Sequence, residues 1–341
     1  MPFQVIIEKN NRVAIPLEYV QGLKLKEGDY LTLDIVPLLG GQKSFKQLET
    51  DLSYAQDYEI TVQTLGHFIP IWLANFKKNL PRFVKDAKSY SHVLPVEGDK
   101  KRCMVVANGP SLYDTDLSCL KDFKGTVVSA NKPLKHLLEH GIVPDWVAVL
   151  DAEEVVLKSF DHDIVREFAR AIQGIFLPTV VNPKVAAFVL EHFGADKTYW
   201  HNPHFSDAIA PNICETLTSI TSIPSCEHGG NVGTFAYLMS IRPLMCNPIG
   251  LLGFDLSYKP SKKWSQEQTT HYRFFYIPDL DQHYAMSPVF EYYVSRLIDL
   301  WNISAEKQGT RTYNLTPVGP LNAVIGFPRS SLSEFCSDSQ K

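Results

Sequence analysis

The sequence predicts a doubly wound α/β domain with a mainly parallel sheet for residues 101–335, and three observations carry that expectation. Short, continuous apolar runs recur through the segment: RCMVVA, GTVVSA, WVAVLD, GIFLPTVV and NPIGLLGFDL. Several are rich in β-branched residues and none alternates strictly, the signature of strands covered on both faces. Helix-like segments alternate with these runs, as a parallel sheet flanked by helices requires. Finally, successive runs end in polar residues, and ligands of such sheets bind beyond the carboxyl ends of the strands.

At 341 residues the chain exceeds one average domain, which leaves room for an accessory module. Its net charge of -4, from 33 basic and 37 acidic side chains, supplies no basic excess to neutralise a phosphate backbone, which disfavours generic nucleic-acid binding. No apolar run reaches the about 20 residues that cross a bilayer. The start MPFQVIIEKNNR lacks the basic-then-apolar layout of a signal peptide, and a cytoplasmic location is the expectation. Cys103, Cys119, Cys214, Cys226, Cys246 and Cys336 are scattered without a CxxC pair and read as small hydrophobes of a reducing compartment.

Taken in order, residues 1–36 read as strand, Asn10-Asn11 corner, strand, short helical stretch, Glu27-Gly28-Asp29 turn and strand. With RVAIP and LKLKEGDYLTLDI, that order resembles the AbrB-like swapped-hairpin family. The resemblance implies a homo-oligomer built through this β module, because one hairpin cannot bury its own face. Lys9, Arg12, Lys24 and Lys26 are outnumbered by Glu8, Glu18, Glu27, Asp29 and Asp34, which favours dimerisation or docking over DNA binding. A plain hairpin docked on the main domain is the alternative. Residues 37–100 read as a helical linker or shoulder, with FIPIWLANFKKNLPRFVKDAKSY suiting an amphipathic helix interrupted by Pro81. Residues 336–341 are a tail.

The first apolar run stops at Asn108-Gly109-Pro110-Ser111. Gly109 lets backbone approach closely, Pro110 fixes the next bend, and Ser111 suits the cap of a helix starting at LYDTDLSCL. Amides at a helix start suit an anion such as phosphate. A capped turn with no ligand is the other reading of this corner. The next strands end at Asn131-Lys132-Pro133 and at Asp151-Ala152-Glu153-Glu154, so Asn108, Ser111, Asn131 and Asp151 are expected to line one crevice.

Five stretches in order, VVANGPSL, VVSANKPLKHLLEHGIVPDWVAVLDAEE, HGGNVGTFAYLMSIRPLMCNPIGLLGFDLSY, TTHYR and TYNLTPVGPLNAVIGFPRSSLSEF, resemble the motility accessory factor family of flagellin glycosyltransferases. The NGPSL corner is also similar to that of bacterial sialyltransferases that use CMP-sugars, and to archaeal 6-hydroxymethylpterin diphosphokinases of related, Rossmann-like fold. The resemblance implies transfer of a nonulosonic-acid-type sugar from a CMP-linked donor to a protein or glycan hydroxyl. It places Asn108, Gly109, Pro110, Ser111 and Asn131 around the donor's phosphate and ribose, and Asp151 at the nucleotide. Gly229, Gly230 and Asn231, in the loop before the helix VGTFAYLMSI, would bracket the nucleotide. It also implies that YNLTPVG closes over the site.

In such a transfer the acceptor hydroxyl loses a proton as the nucleotide phosphate departs, a step suited to histidine. By the resemblance His271 is the base, with His283 as fallback and Asp255 holding a loop or orienting His271. Tyr272 and Arg273 are candidates for steadying the phosphate. No metal ligand set and no permanently bound cofactor are expected. Magnesium enters only through a carboxylate pair, Asp151 and Glu153, that has the spacing to hold it, and His201 and His204 are left without a role. Two other functions stay open: magnesium-dependent pyrophosphoryl transfer from ATP to a pterin alcohol, and a non-catalytic nucleotide-binding adaptor.

Overall fold

The structure, a computed structural model, describes residues 67–83, 87–204, 212–258, 273–277, 282–324 and 326–337. The chain divides into two compact units, Met1–Ala55 and Gln56–Lys341, and every described residue belongs to the second. The expected β module at 1–36, its role in oligomerisation, His271 and Tyr272 all lie outside the described residues.

Residues 67–79 form helix α1, and Pro81 sits in the 3-10 turn Leu80–Arg82 that follows it. Two buried asparagines one helical turn apart hold this helix down. Asn75 Nδ2 donates to the carbonyls of Ala152 (2.8 Å) and Val180 (3.0 Å), and Asn79 Nδ2 to those of Thr179 (3.2 Å) and Val181 (2.7 Å).

The five predicted runs become β2 (Cys103–Val106), β3 (Thr126–Ala130), β4 (Trp146–Ala148), β5 (Gly174–Pro178) and β8 (Ile249–Leu252). Four further strands join them: β1 (Lys88–Ser89), β6 (Thr198–Pro203), β7 (Ser225–Cys226) and β11 (Thr312–Asn314). Their order is β1-β6-β5-β4-β3-β2-β8-β11, with β7 on β6, and every pairing is parallel. β6 escapes an apolar search because its sequence, TYWHNP, is half polar. Those polar groups are buried and paired at a distance: Asn202 donates to Thr221 Oγ1 and the Ile223 carbonyl and accepts from Thr179 Oγ1. His201 packs on Phe235 with Nε2 toward the Val149 carbonyl (3.3 Å), and burial pushes its imidazole down to about 3. It is a neutral core residue.

Helices α2 (Leu134–Glu139), α3 (Asp163–Phe168), α4 (Pro183–His192) and α5 (Ile213–Thr221) follow β3, β4, β5 and β6 in turn. α6 (Val232–Ile241) is buried from Gly233 to Ile241 and packs against β2, β3 and β4. The chain moves outward from β2 through β3, β4, β5 and β6. It then returns through α6 to lay β8 on the opposite flank of β2. That reversal opens a crevice at the carboxyl ends of β2 and β8, the usual ligand position of an open parallel sheet. Long α7 (Pro288–Gln308) and short α8 (Leu332–Ser337) complete the unit. A separate antiparallel ribbon, β9 (Arg273–Ile277) with β10 (Gln282–Met286), sets His283 opposite Tyr276 and bridges to Tyr258 through Ala285. No helix among the described residues is long and apolar enough to cross a membrane.

Two sequence expectations need correction here. The helix at LYDTDLSCL is absent; the chain makes two 3-10 turns, Pro110–Asp114 and Ser118–Asp122. Local side-chain bonds compete with helix there: Thr115 Oγ1 donates to the Ser111 carbonyl, and Asp116 accepts from the Ser118 amide. The YNLTPVG stretch is not among the residues that line the crevice; it braces the end of β8 instead. Thr316 Oγ1 accepts from the Phe254 amide (2.9 Å) and donates to the Leu251 carbonyl (3.2 Å), while Asn322 ties Asn314 to the Thr316 and Gly319 carbonyls. Thr316→Val leaves a buried amide without its acceptor, and urea unfolding should show a loss of about 1–3 kcal/mol. A change within a few tenths would show that the brace contributes nothing.

Candidate functional site

The crevice is a cavity of about 320 Å³, a size that suits a small-molecule ligand. Each wall is the end of an element. β2 supplies Asn108, Gly109 and Pro110; β3 supplies Asn131 and Lys132; Asp151 follows β4; Gly230 and Asn231 precede α6; Asp255 follows β8; and α7 contributes the rings of Phe290 and Tyr293. The structure thus brings together eight of the sequence-predicted site residues. Ser111 and Gly229 are set back from the cavity, and Glu153 lies outside it at the start of the turn Glu154–Ser159. Of the candidate pair Asp151 and Glu153, only Asp151 lines the cavity.

Ser111 does not cap its own turn. Asp255 does so from the end of β8: its Oδ2 accepts from the Ser111 amide (2.8 Å) and its Oδ1 from Ser111 Oγ (2.6 Å). The amide expected to face an anion is therefore already bonded. This also makes Asp255 a group that holds the corner. Gly109 is required for space, since its φ of -67° is open to any residue. A Cβ there would overlap Asp255 Oδ1 and lie 2.5 Å from the Gly253 carbonyl oxygen, which accepts the Gly109 amide at 2.8 Å.

At the opposite wall Gly230 adopts φ +87°, and a Cβ would fall 2.8 Å from Tyr293 Cδ1. Here glycine supplies both a left-handed turn and room for the ring. Asn231 caps α6, accepting from the Thr234 amide (3.0 Å) and donating to Thr234 Oγ1 (2.8 Å). Sequence reasoning passed over Lys132, although it adjoins Asn131, and missed Phe290 and Tyr293. On a 21-residue helix those rings carry no local mark that separates a cavity wall from core.

Three titratable groups face this space with shifted pKa values. Burial raises Asp255 above the usual carboxylate range despite the two bonds from Ser111. Asp151 is exposed at the rim, yet the surrounding walls withdraw enough water to raise its carboxyl too, with Lys132 opposing and Glu153 adding. Desolvation, then the Asp151 charge, raises the Tyr293 phenol. For Asp255 the sign follows from linkage. The folded state holds its proton to higher pH than the unfolded chain, so the stability this confers is full below about pH 4 and is lost as pH rises through the folded value. Urea midpoints should decline just above the ordinary carboxylate pKa, and Asp255→Asn should flatten that decline. Parallel profiles would remove Asp255 as its source.

The profile of the 6-hydroxymethylpterin diphosphokinase MptE-like family matches residues 73–261. That stretch contains the tips of β2, β3, β4 and β8 and stops short of Phe290 and Tyr293. Among solved structures, a MAf glycosyltransferase from Magnetospirillum magneticum AMB-1 is similar, with a TM-score of 0.53 and 13% identity over 75% of this chain. This chain spans 38% of that protein's length, and at such identity the likeness concerns the fold. No curated protein matches.

Proposed function

The chain belongs to the 6-hydroxymethylpterin diphosphokinase MptE-like family, and from that premise we propose that it is a glycosyltransferase. It moves a nonulosonic-acid-type sugar, of the sialic, pseudaminic or legionaminic acid kind, from a CMP-linked donor to a hydroxyl of a protein or glycan. The observation that carries this reading is the cavity's charge. Lys132 is the one cation among its described lining residues, set against Asp151 and Asp255. One cation suits the single phosphodiester of a CMP-sugar, whereas the polyphosphate of ATP calls for more positive charge than these walls supply.

In the transfer, the bond between the anomeric carbon and the phosphate oxygen breaks, and CMP leaves with the electron pair. The acceptor oxygen bonds to that carbon, and its proton passes to a base. His271 is retained for that role by the resemblance. Asp151 is the described group that fits it, since it stands at the solvent-open rim with a carboxyl that desolvation raises above its ordinary value. Lys132 and the Asn108 amide offset charge on the departing phosphate, and Phe290 with Tyr293 offers faces for a base or sugar ring.

Magnesium fits this site only as a partner of the nucleotide. Among the described residues no group of three or more His, Cys, Asp or Glu side chains is placed to hold a metal, and of the two carboxylates that line the cavity only that of Asp151 is exposed. Such an ion would add positive charge beside the phosphates. The second reading, pyrophosphoryl transfer from ATP to a pterin alcohol, is favoured by the family's description and depends on that ion.

Calorimetric titration with CMP, GDP, UDP and ATP, with and without magnesium, separates the readings. Selective CMP binding supports sugar transfer. Binding of ATP only with magnesium moves the assignment to the pyrophosphokinase, and silence toward every nucleotide leaves a non-catalytic adaptor.

A further inference from the structure

Two asparagines at adjacent strand tips line the cavity, and each has one end of its amide tied to a residue outside the cavity lining. The Tyr113 hydroxyl donates to Asn108 Oδ1 at 2.7 Å. Asn108 Nδ2 has no hydrogen-bond partner among the described residues, so its two N–H groups are the end left for a ligand. At the next tip the tie is reversed: Asn131 Nδ2 donates to Ser159 Oγ at 3.1 Å, which leaves Oδ1 as the free end. An amide whose oxygen is engaged chiefly donates further, and one whose nitrogen is engaged chiefly accepts. In this arrangement the site presents a donor over β2 and an acceptor over β3.

A phosphate carries only acceptors at neutral pH, whereas a ribose hydroxyl or a base amino group carries donors. We propose that Tyr113 is a positioning residue that turns the Asn108 amide so that its N–H groups meet the phosphate oxygens of the bound nucleotide, while Ser159 turns Asn131 to accept from a ribose hydroxyl or base amino group. This rests on the nucleotide reading above and adds its orientation: phosphate toward β2, hydroxyl-bearing part toward β3. Tyr113 is itself steadied by His136, whose ring centroid lies 4.6 Å away. Its phenol, with an ordinary pKa of about 10 that desolvation only raises, keeps its proton through the neutral range.

The test pairs the nucleotide selected by the wild type, CMP or ATP, with its nucleoside lacking phosphate. Asn108→Asp keeps the shape and the bond from Tyr113 but turns a carboxylate oxygen on the phosphate. Nucleotide affinity should fall about 100-fold while nucleoside affinity, read by competition, stays within about threefold. Tyr113→Phe should weaken the nucleotide about fivefold to tenfold and the nucleoside not at all, and should add nothing in an Asn108→Ala background. A purely structural role for Tyr113 would not produce that coupling.

Equal losses for nucleotide and nucleoside, or a Tyr113→Phe cost that persists in Asn108→Ala, overturn the orientation and leave nucleotide binding intact. Wild-type protein that binds neither CMP nor ATP overturns both.

Discussion

Gly109→Ala should abolish measurable nucleotide binding, with at least about a 100-fold loss, and lower stability by about 1–3 kcal/mol, the usual cost of overpacking a filled site. The backbone at this position tolerates alanine, so the effect is one of space. The added methyl meets the Asp255 carboxylate, which two bonds to Ser111 hold in place, and the Gly253 carbonyl, which accepts the residue's own amide. Neither neighbour yields without losing a hydrogen bond, so the tip of β2 swings outward and carries Asn108 with it. Calorimetry with CMP and urea unfolding, run on one preparation, check both parts. Wild-type affinity in Gly109→Ala would mean that this contact does not set the tip.

Lys132→Glu should weaken nucleotide binding by about 100-fold at low salt and leave folding untouched. Two unit charges about 4 Å apart near a protein surface interact by at most about 4 kcal/mol. Lys132 is exposed, so screening reduces that figure, but reversal adds a repulsion to the lost attraction. Lys132→Ala should lie between, near tenfold. Both losses should shrink as salt shortens the screening length from about 10 Å at 0.1 M. Affinity within threefold of wild type at low salt would place the phosphate beyond reach of the Lys132 side chain.

Five strands were legible because a parallel strand buried on both faces is written as an uninterrupted apolar run, as CMVV and IGLL are. β6 was not, since His201 and Asn202 are admitted to the interior by partners remote in sequence, which no local pattern encodes. The crevice was legible for a related reason: Asn108, Asn131 and Asp151 each follow their own strand closely, so a correct sheet gathers them. Ser111 shows the limit. Its residue type fits a helix cap, but the buried carboxylate of Asp255 competes for both its amide and its hydroxyl, and the expected helix shortens to a turn. Phe290 and Tyr293 come from a helix whose approach only the tertiary fold reveals.

The two asparagines of α1 fasten the helix like the prongs of a plug. Apolar contacts tolerate small slips, because one methyl group substitutes for another. Four bonds from Asn75 and Asn79 to fixed carbonyls do not: sliding by one residue, about 1.5 Å along the axis, would unseat them together. Any pull on this helix is therefore passed to the segments that follow β4 and β5, at the Ala152 carbonyl next to Asp151 and at three successive carbonyls beyond β5.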